Sequence, residues 1–183
     1  KKKINNNKFE IKIFGGNWSL GTSAIHFLDL FTFLANAEIE KLFYKTSSKK
    51  IFRYKRSGYY EFIGKFKGTS LNKNKISIEK FSKSSMPLQM TLETRNFYLL
   101  FEDAKRKVNI LTEENNWQLK SKKILFPFQS QSTSKLINYL ITNGDCKLPT
   151  FDSSIKNHIL LIKLLLKEFK ASNLVYKDRV KIT

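Results

Sequence analysis

Hydrophobic and polar residues alternate along most of this chain, a pattern that is typical of β-strands with one buried face. Residues 8–14 show it first, because Phe9, Ile11 and Ile13 alternate with lysine and glutamate. Further alternating segments fill residues 38–120, and short stretches of glycine, serine, asparagine and proline separate them. This pattern predicts a large, mostly antiparallel sheet.

Three segments have the three- and four-residue spacing of α-helices instead. The first begins at a predicted N-cap, Ser19, runs to about Asn36 and is apolar nearly all round. The second ends at Gly144, a predicted C-cap, and the third is expected to be capped by Asp152 or Ser153. The predicted apolar faces of the second and third helices are Leu136, Ile137, Leu140 and Ile141, and Ile155, Ile159, Ile162 and Leu166, respectively.

The order of these elements is strand, helix, many strands and two helices, which predicts an α+β fold with the helices on one face of an open sheet. No internal repeat or long linker divides the chain, so residues 1–183 are expected to form a single domain. Residues 116–128 are predicted to be an irregular strand pair that ends at Pro127. Segments 58–66 and 96–103 would place aromatic residues among lysines on the uncovered face, which is either solvated or paired with a second copy.

Composition narrows the possible functions. The formal net charge is +19, but the lysines are spread along the predicted strands and no helix-turn-helix, zinc-finger or RNA-binding aromatic motif accompanies them. The lone Cys146 allows no internal disulfide and no cysteine-built zinc site. No apolar run could cross a bilayer and no secretory signal opens the chain, so we expect a cytoplasmic protein. The missing initiator methionine suggests a fragment or a processed chain.

The first predicted helix carries one narrow polar stripe, because residues three and four apart share a helical face. The stripe consists of Ser19, Thr22, Ser23, His26 and Asp29. Two interpretations fit this spacing. In the first, Thr22 and Asp29 bond nearby backbone and His26 is a satisfied core histidine. In the second, the stripe faces a cleft and His26 transfers a proton, since histidine titrates near neutrality.

On the second interpretation, Asp29 would orient the imidazole of His26, while Thr22 and Ser23 would contact the substrate. Asn17 and Trp18 would lie at the lip of the cleft, where an amide binds hydroxyl groups and an indole packs on a sugar ring.

Other chemistries lack support in the sequence. The second histidine, His158, begins an apolar run and is expected in the core, and no metal-ligand cluster, GxSxG elbow, GxGxxG fingerprint or Walker loop occurs.

Residues 15–34 resemble the stretch that opens the second domain of the glucose–fructose oxidoreductase/inositol dehydrogenase (Gfo/Idh/MocA) family. The family pattern is a glycine run, a few apolar residues, D-x-x-x-H-x-x-D and an apolar helix, and Gly15, Gly16, His26 and Asp29 match it. Residues 128–158 are similar to the closing helices of the family around a G-x-x-x-LP turn. With the strands between, the resemblance covers nearly the whole chain.

The resemblance implies a substrate-binding and oligomerisation domain of an NAD- or NADP-dependent oxidoreductase acting on a sugar, sugar nucleotide or cyclitol. It implies that His26 takes the place of the catalytic histidine. The cofactor would be held mainly by an N-terminal Rossmann domain, so no cofactor-binding residue and no metal site are expected in this chain. The implied partners are that Rossmann domain, a sugar-like small molecule and further copies of the chain through the open sheet face. From the composition and motifs of the sequence itself, neither a membrane nor a nucleic-acid partner is expected.

Two departures from the family pattern keep an alternative open. Thr22 stands where the family has a carboxylate, and the Rossmann half, with the lysine that it usually contributes to catalysis, is not in this sequence. The chain alone is therefore not expected to be an active enzyme. The alternative is a non-catalytic binding module for a protein partner or for an anionic ligand such as nucleic acid.

Overall fold

The computed structural model describes residues 7–45, 51–53, 57–125, 129–145 and 148–172 of the chain. The helices in this part of the chain are α1 (Leu20–Ala35), α2 (Gln129–Asn143) and α3 (Phe151–Ala171), with a short 3-10 helix at Glu113–Asn115. The strands are β1 (Phe9–Gly15), β2 (Ile39–Lys45), β3 (Ile51–Arg53), β4 (Tyr60–Phe62), β5 (Gly64–Ser70), β6 (Lys75–Lys80), β7 (Gln89–Thr94), β8 (Phe97–Glu102), β9 (Lys107–Thr112) and β10 (Lys120–Lys123).

Eight of these strands form one sheet in the order β10-β9-β8-β7-β1-β6-β5-β2, and β3 and β4 form a separate hairpin. Neighbouring strands of the large sheet are antiparallel except β1 and β6, which run parallel. The predicted α+β fold with a mostly antiparallel open sheet is thus confirmed. The predicted strand pair over residues 116–128 is wrong in its described part, which holds the single strand β10, and Pro127 and Cys146 lie outside the described residues.

The core lies between the sheet and helices α1 and α3. Phe9, Ile11 and Ile13 of β1 are buried, as their alternation predicts, and they lie in one cluster with Leu28 and Phe31 of α1. The rings of Phe9 and Phe31 meet edge to face with centroids 5.9 Å apart. Burial of each such side chain contributes about 1.5–3 kcal/mol, so β1 and α1 are held together firmly on either side of the turn that joins them.

Helix α3 packs through a face other than the predicted one. Its buried residues are Asn157, Leu161, Leu165 and Phe169. Ile159 and Ile162, assigned to the core from their spacing, are 46% and 40% exposed. The helix carries two apolar stripes about 100° apart, the rotation of a single residue, and periodicity alone does not say which one meets the sheet.

The helix caps differ from the sequence prediction in two of three cases. Ser19 is the N-cap residue of α1 but its side chain makes no cap hydrogen bond. Thr150, rather than Asp152 or Ser153, caps α3, because its hydroxyl accepts the backbone N–H of Ser153 at 3.2 Å. Gly144 ends α2 as predicted, with φ of +71° and its N–H bonded to Leu140 O at 2.8 Å.

The uncovered face of the sheet is more polar than predicted. Phe62 and Phe66, expected among its aromatic residues, are buried in the core instead. The face carries Lys12, which pairs with Glu93 at 2.5 Å, and the half-buried Tyr98 follows in register beside Glu93. Alternating lysines and carboxylates therefore satisfy much of each other's charge along these strands.

Candidate functional site

The turn between β1 and α1 is shaped by a close backbone contact. The N–H groups of Gly16 and Asn17 both donate to Met86 O, at 2.8 and 3.1 Å. A Cβ atom at Gly16 would lie 2.0 Å from Ser84 O, so only glycine lets the two segments approach this closely. The turn fixes the direction in which Asn17 and Trp18 leave the sheet.

Trp18 is held in place by its own neighbours. Its indole Nε1–H donates to Gly15 O at 3.0 Å, and its ring meets that of Phe27 edge to face with centroids 5.8 Å apart. The side chain is half-buried, whereas that of Asn17 is exposed. An immobilised indole beside a free amide is a suitable edge for a sugar-binding cleft.

The N-terminus of α1 is capped from a distance by Glu61 of β4. The side chain of Glu61 is fully buried, and its Oε1 accepts the backbone N–H groups of Gly21 and Phe62, both at 2.8 Å. A carboxylate at this end of a helix is favoured by the helix dipole and by the unpaired N–H groups of the first turn. Its second oxygen, Oε2, has no hydrogen-bond partner among the described residues.

Asn17 and Trp18 line a cleft of about 360 Å³ together with the turn residues Gly16 and Ser19. The remaining lining residues, which the sequence interpretation missed, are Phe52, Arg53 and Lys80.

Lys80 ends β6, where the alternation of Ile76 and Ile78 places it on the core side of the sheet. Its ammonium group donates to Trp18 O, and burial lowers its pKa from the usual 10.5, against the opposing effect of the Glu61 charge. The sequence does contain a signal for this placement, because Lys80 continues the alternation of Ile76 and Ile78 along β6.

The polar stripe of α1 runs away from this cleft along the helix. Thr22 and His26 are exposed and Ser23 is half-buried, and none of the three is among the residues that line the cleft. The exposure of His26 excludes its interpretation as a core histidine. Its role in proton transfer stays a prediction.

Asp29, at the far end of the stripe, contacts α3. Its Oδ1 accepts from Asn157 Nδ2 at 2.8 Å and its Oδ2 accepts from Ser154 Oγ at 2.7 Å. Among the described residues no hydrogen bond joins it to His26, so its predicted orienting role has no supporting contact. His158 is exposed rather than in the core, with Nδ1 3.1 Å from Ser154 O.

No helix in the described ranges combines the length and apolar character needed to cross a membrane. Within the same residues, no group of three or more histidine, cysteine, aspartate or glutamate side chains is placed to hold a metal ion.

No protein-family model matches the sequence, and no curated protein matches it. Solved structures do match. Over 95% of this chain and 58% of the other, the structure resembles a dehydrogenase, MviM, from Clostridium difficile, with a TM-score of 0.54 and 16% identity. It resembles UDP-N-acetylglucosamine 3-dehydrogenase GnnA from Acidithiobacillus ferrooxidans over 86% of this chain and 51% of the other, with a TM-score of 0.56 and 11% identity.

A third match is a super-repressor mutant of Gal80p from Saccharomyces cerevisiae, with a TM-score of 0.60 and 12% identity over 93% of this chain and 57% of the other. At these identities the likeness is one of fold. The chain has the fold of the corresponding part of Gfo/Idh/MocA-type proteins, which confirms the sequence resemblance at that level. It spans a little over half the length of the proteins that it matches.

Proposed function

We propose that this chain is the substrate-binding domain of an NAD(P)-dependent oxidoreductase that acts on a sugar, a sugar nucleotide or a cyclitol. The observation that carries the proposal is the cleft beside the Gly15–Gly16 turn, where the residues of the sequence resemblance begin. The fold supports it, since two of the matched structures are dehydrogenases and one of them is named for a sugar nucleotide.

The described side chains suit separate parts of such a reaction. Asn17, with an exposed amide, donates to and accepts from sugar hydroxyl groups, while the fixed indole of Trp18 packs against the ring. Thr22 and Ser23 add hydroxyl contacts along α1. His26, exposed one turn further on, is the candidate acid or base for the proton that leaves or joins the reacting hydroxyl.

The residues of this chain do not fit a dinucleotide at the glycine turn. The N–H of Gly16 is bonded to Met86 O and the space that a Cβ would fill is taken by the backbone of Ser84, so the turn holds protein rather than phosphate. We therefore assign NAD or NADP to a separate nucleotide-binding domain.

Two exposed helix faces support the assignment of a covering domain. On α2, Ile137, Leu140 and Ile141 are 50%, 44% and 77% exposed, and on α3 Ile159 and Ile162 are also exposed. Exposed apolar patches of this kind mark interaction surfaces. Because this chain spans only a little over half the length of the matched proteins, the protein's own nucleotide-binding domain is the occupant that we propose. The uncovered sheet face is the proposed surface for self-association.

The test is turnover by the protein that carries this chain together with its nucleotide-binding domain. We expect reduction of NAD or NADP with at least one sugar, and His26→Ala should lower kcat by about 10²–10⁴-fold, as for a lost general acid or base. Thr22→Ala, one turn away on the same helix, is the matched control and should act mainly on KM. Micromolar binding of NAD by the chain alone, or equal kcat losses for both variants, would contradict the assignment.

A binding module without catalysis is the second candidate, and two observations favour it. One matched structure is described as a super-repressor and not as an oxidoreductase. Thr22 also stands on α1 at the position where the family pattern has a carboxylate. On this alternative the same cleft or the open sheet face binds a protein or an anionic ligand such as nucleic acid, and no sugar oxidation accompanies binding.

A further inference from the structure

Arg53 and Lys80 give the cleft a positive charge that the proposed function does not yet use. Arg53 ends β3 and Lys80 ends β6, so the two cations come from the hairpin and from the large sheet to the same cleft. Asn17 and Trp18 line it beside them. The cations therefore lie next to the two residues proposed to hold a sugar ring.

Neither cation is neutralised by an ion pair within the described part of the chain. Elsewhere on the sheet the pattern is different, since Lys12 pairs with Glu93 at 2.5 Å and Lys65 with Glu79 at 2.7 Å. Glu61 is the acidic group that acts on Lys80, but its effect on the Lys80 pKa is smaller than that of burial, and its Oε1 accepts two backbone N–H groups rather than the ammonium. The positive charge of the cleft thus stays available to a ligand.

The ammonium group of Lys80 is held in the cleft and keeps hydrogen-bond donors for a ligand. Its ammonium group donates to Trp18 O, and an ammonium carries three donors, so two remain. Burial lowers its pKa, which means that keeping this cation here costs stability unless an anion approaches it. The cleft also includes Ser19 at the N-terminus of α1, whose dipole favours negative charge.

We propose that the cleft binds the anionic group of the substrate, a carboxylate or a phosphate on a sugar, through Arg53 and Lys80. This inference rests on the proposed function, which makes the cleft the substrate site. A guanidinium offers paired N–H donors that match either oxyanion, and the ammonium adds a point charge. A cleft of about 360 Å³ has room for a single sugar ring with such a group, at the lower end of ligand pockets in general.

The first experiment does not depend on knowing the sugar. Inorganic phosphate and acetate are titrated into the chain, and the NMR signals of the Trp18 indole and the Arg53 guanidinium are followed at low and moderate salt. We expect saturable shifts at both groups. Arg53→Gln should weaken anion binding at least about tenfold, as for a lost charged hydrogen bond. The matched control, Arg95→Gln, removes the same charge from an exposed turn between β7 and β8 and should change nothing.

Shifts that do not saturate, or that weaken equally in Arg53→Gln and Arg95→Gln, would overturn the inference. Glucuronate, glucose 6-phosphate and methyl glucoside then distinguish a carboxylate from a phosphate and from a neutral ring. In the complete enzyme, Arg53→Gln should raise KM with little effect on kcat. Turnover of a neutral sugar with KM unchanged by Arg53→Gln would defeat this inference alone, whereas anion binding without any turnover would defeat the proposed function alone.

Discussion

Asn157 of α3 donates its side-chain amide to Asp29 of α1 at 2.8 Å, and this bond joins the two helices that cover the sheet. Ser154, one turn before Asn157, donates to the other carboxylate oxygen at 2.7 Å. The polar stripe of α1 therefore has two parts. Its first residue, Ser19, lines the cleft, and its last polar residue, Asp29, anchors the helix to α3.

We expect Asn157→Ala to lower the free energy of unfolding by about 1.5–3 kcal/mol, the cost of losing a hydrogen bond to a charged group. The Asn157 side chain is only 4% exposed, so water replaces the lost donor poorly. Urea unfolding measures the change. Asn138→Ala, the same substitution at an exposed position of α2, is the control and should leave stability nearly unchanged. Equal effects of the two variants would contradict the anchoring role.

Glu61→Ala is expected to destabilise the chain by about 1–3 kcal/mol, because the buried N–H groups of Gly21 and Phe62 would lose their acceptor. Glu61→Gln keeps an oxygen at the same place and should recover part of the loss. Unfolding midpoints of the three proteins in guanidinium chloride test this. A glutamine variant as unstable as the alanine variant would show that the negative charge, rather than the acceptor, stabilises the start of α1.

The pKa of Lys80 gives a prediction with a definite sign. Because burial lowers this pKa below 10.5 in the folded chain, the unfolded chain holds the proton more tightly. The charged side chain therefore opposes folding at neutral pH, and this opposition fades as the pH rises through the folded pKa towards 10.5. Glu61 is the acidic neighbour that partly offsets it, and Arg53 is the second cation of the cleft.

Lys80→Met should accordingly be tolerated or slightly stabilising at pH 7 in the absence of a ligand, while binding of inorganic phosphate is lost. As the pH approaches 10, the protein that carries Lys80 should become more stable relative to the Lys80→Met variant. Thermal unfolding between pH 7 and pH 10, in buffers without phosphate, measures the stability difference at pH 7 and its change with pH. A variant that is strongly destabilised at every pH would mean that Lys80 serves the fold through Trp18 O rather than the ligand.

The first two elements were predictable from the sequence, since β1 alternates regularly and α1 is apolar nearly all round apart from one narrow polar stripe. The packing face of α3 was not predictable, because Leu161 and Ile162 belong to two neighbouring apolar stripes and contact with the rest of the fold selects the one that is buried. The cleft was only half predictable. Asn17 and Trp18 follow the glycine turn in the sequence. The alternation along β6 places Lys80 on the core side of the sheet, but only long-range strand pairing brings Lys80 and Arg53 to the same cleft.

The last prediction concerns self-association through the uncovered sheet face. Leu100 lies on this face in register with Thr91, which in turn pairs with Lys12. A two-fold contact there would bury Leu100 and Tyr98 and leave the lysines at a polar rim. Because the net charge of +19 opposes association, we expect the dimer to strengthen with moderate salt, which screens that repulsion.

Leu100→Lys should then dissociate the dimer, since it adds a buried charge at the centre of the contact. Leu71→Lys is the matched control, because Leu71 is 58% exposed in the turn between β5 and β6 and lies outside the proposed contact. Light scattering at several protein concentrations gives the masses. A monomeric mass for both the chain and the complete protein at high concentration would leave the face solvated and end this proposal, and a dimer unaffected by Leu100→Lys would place the contact elsewhere.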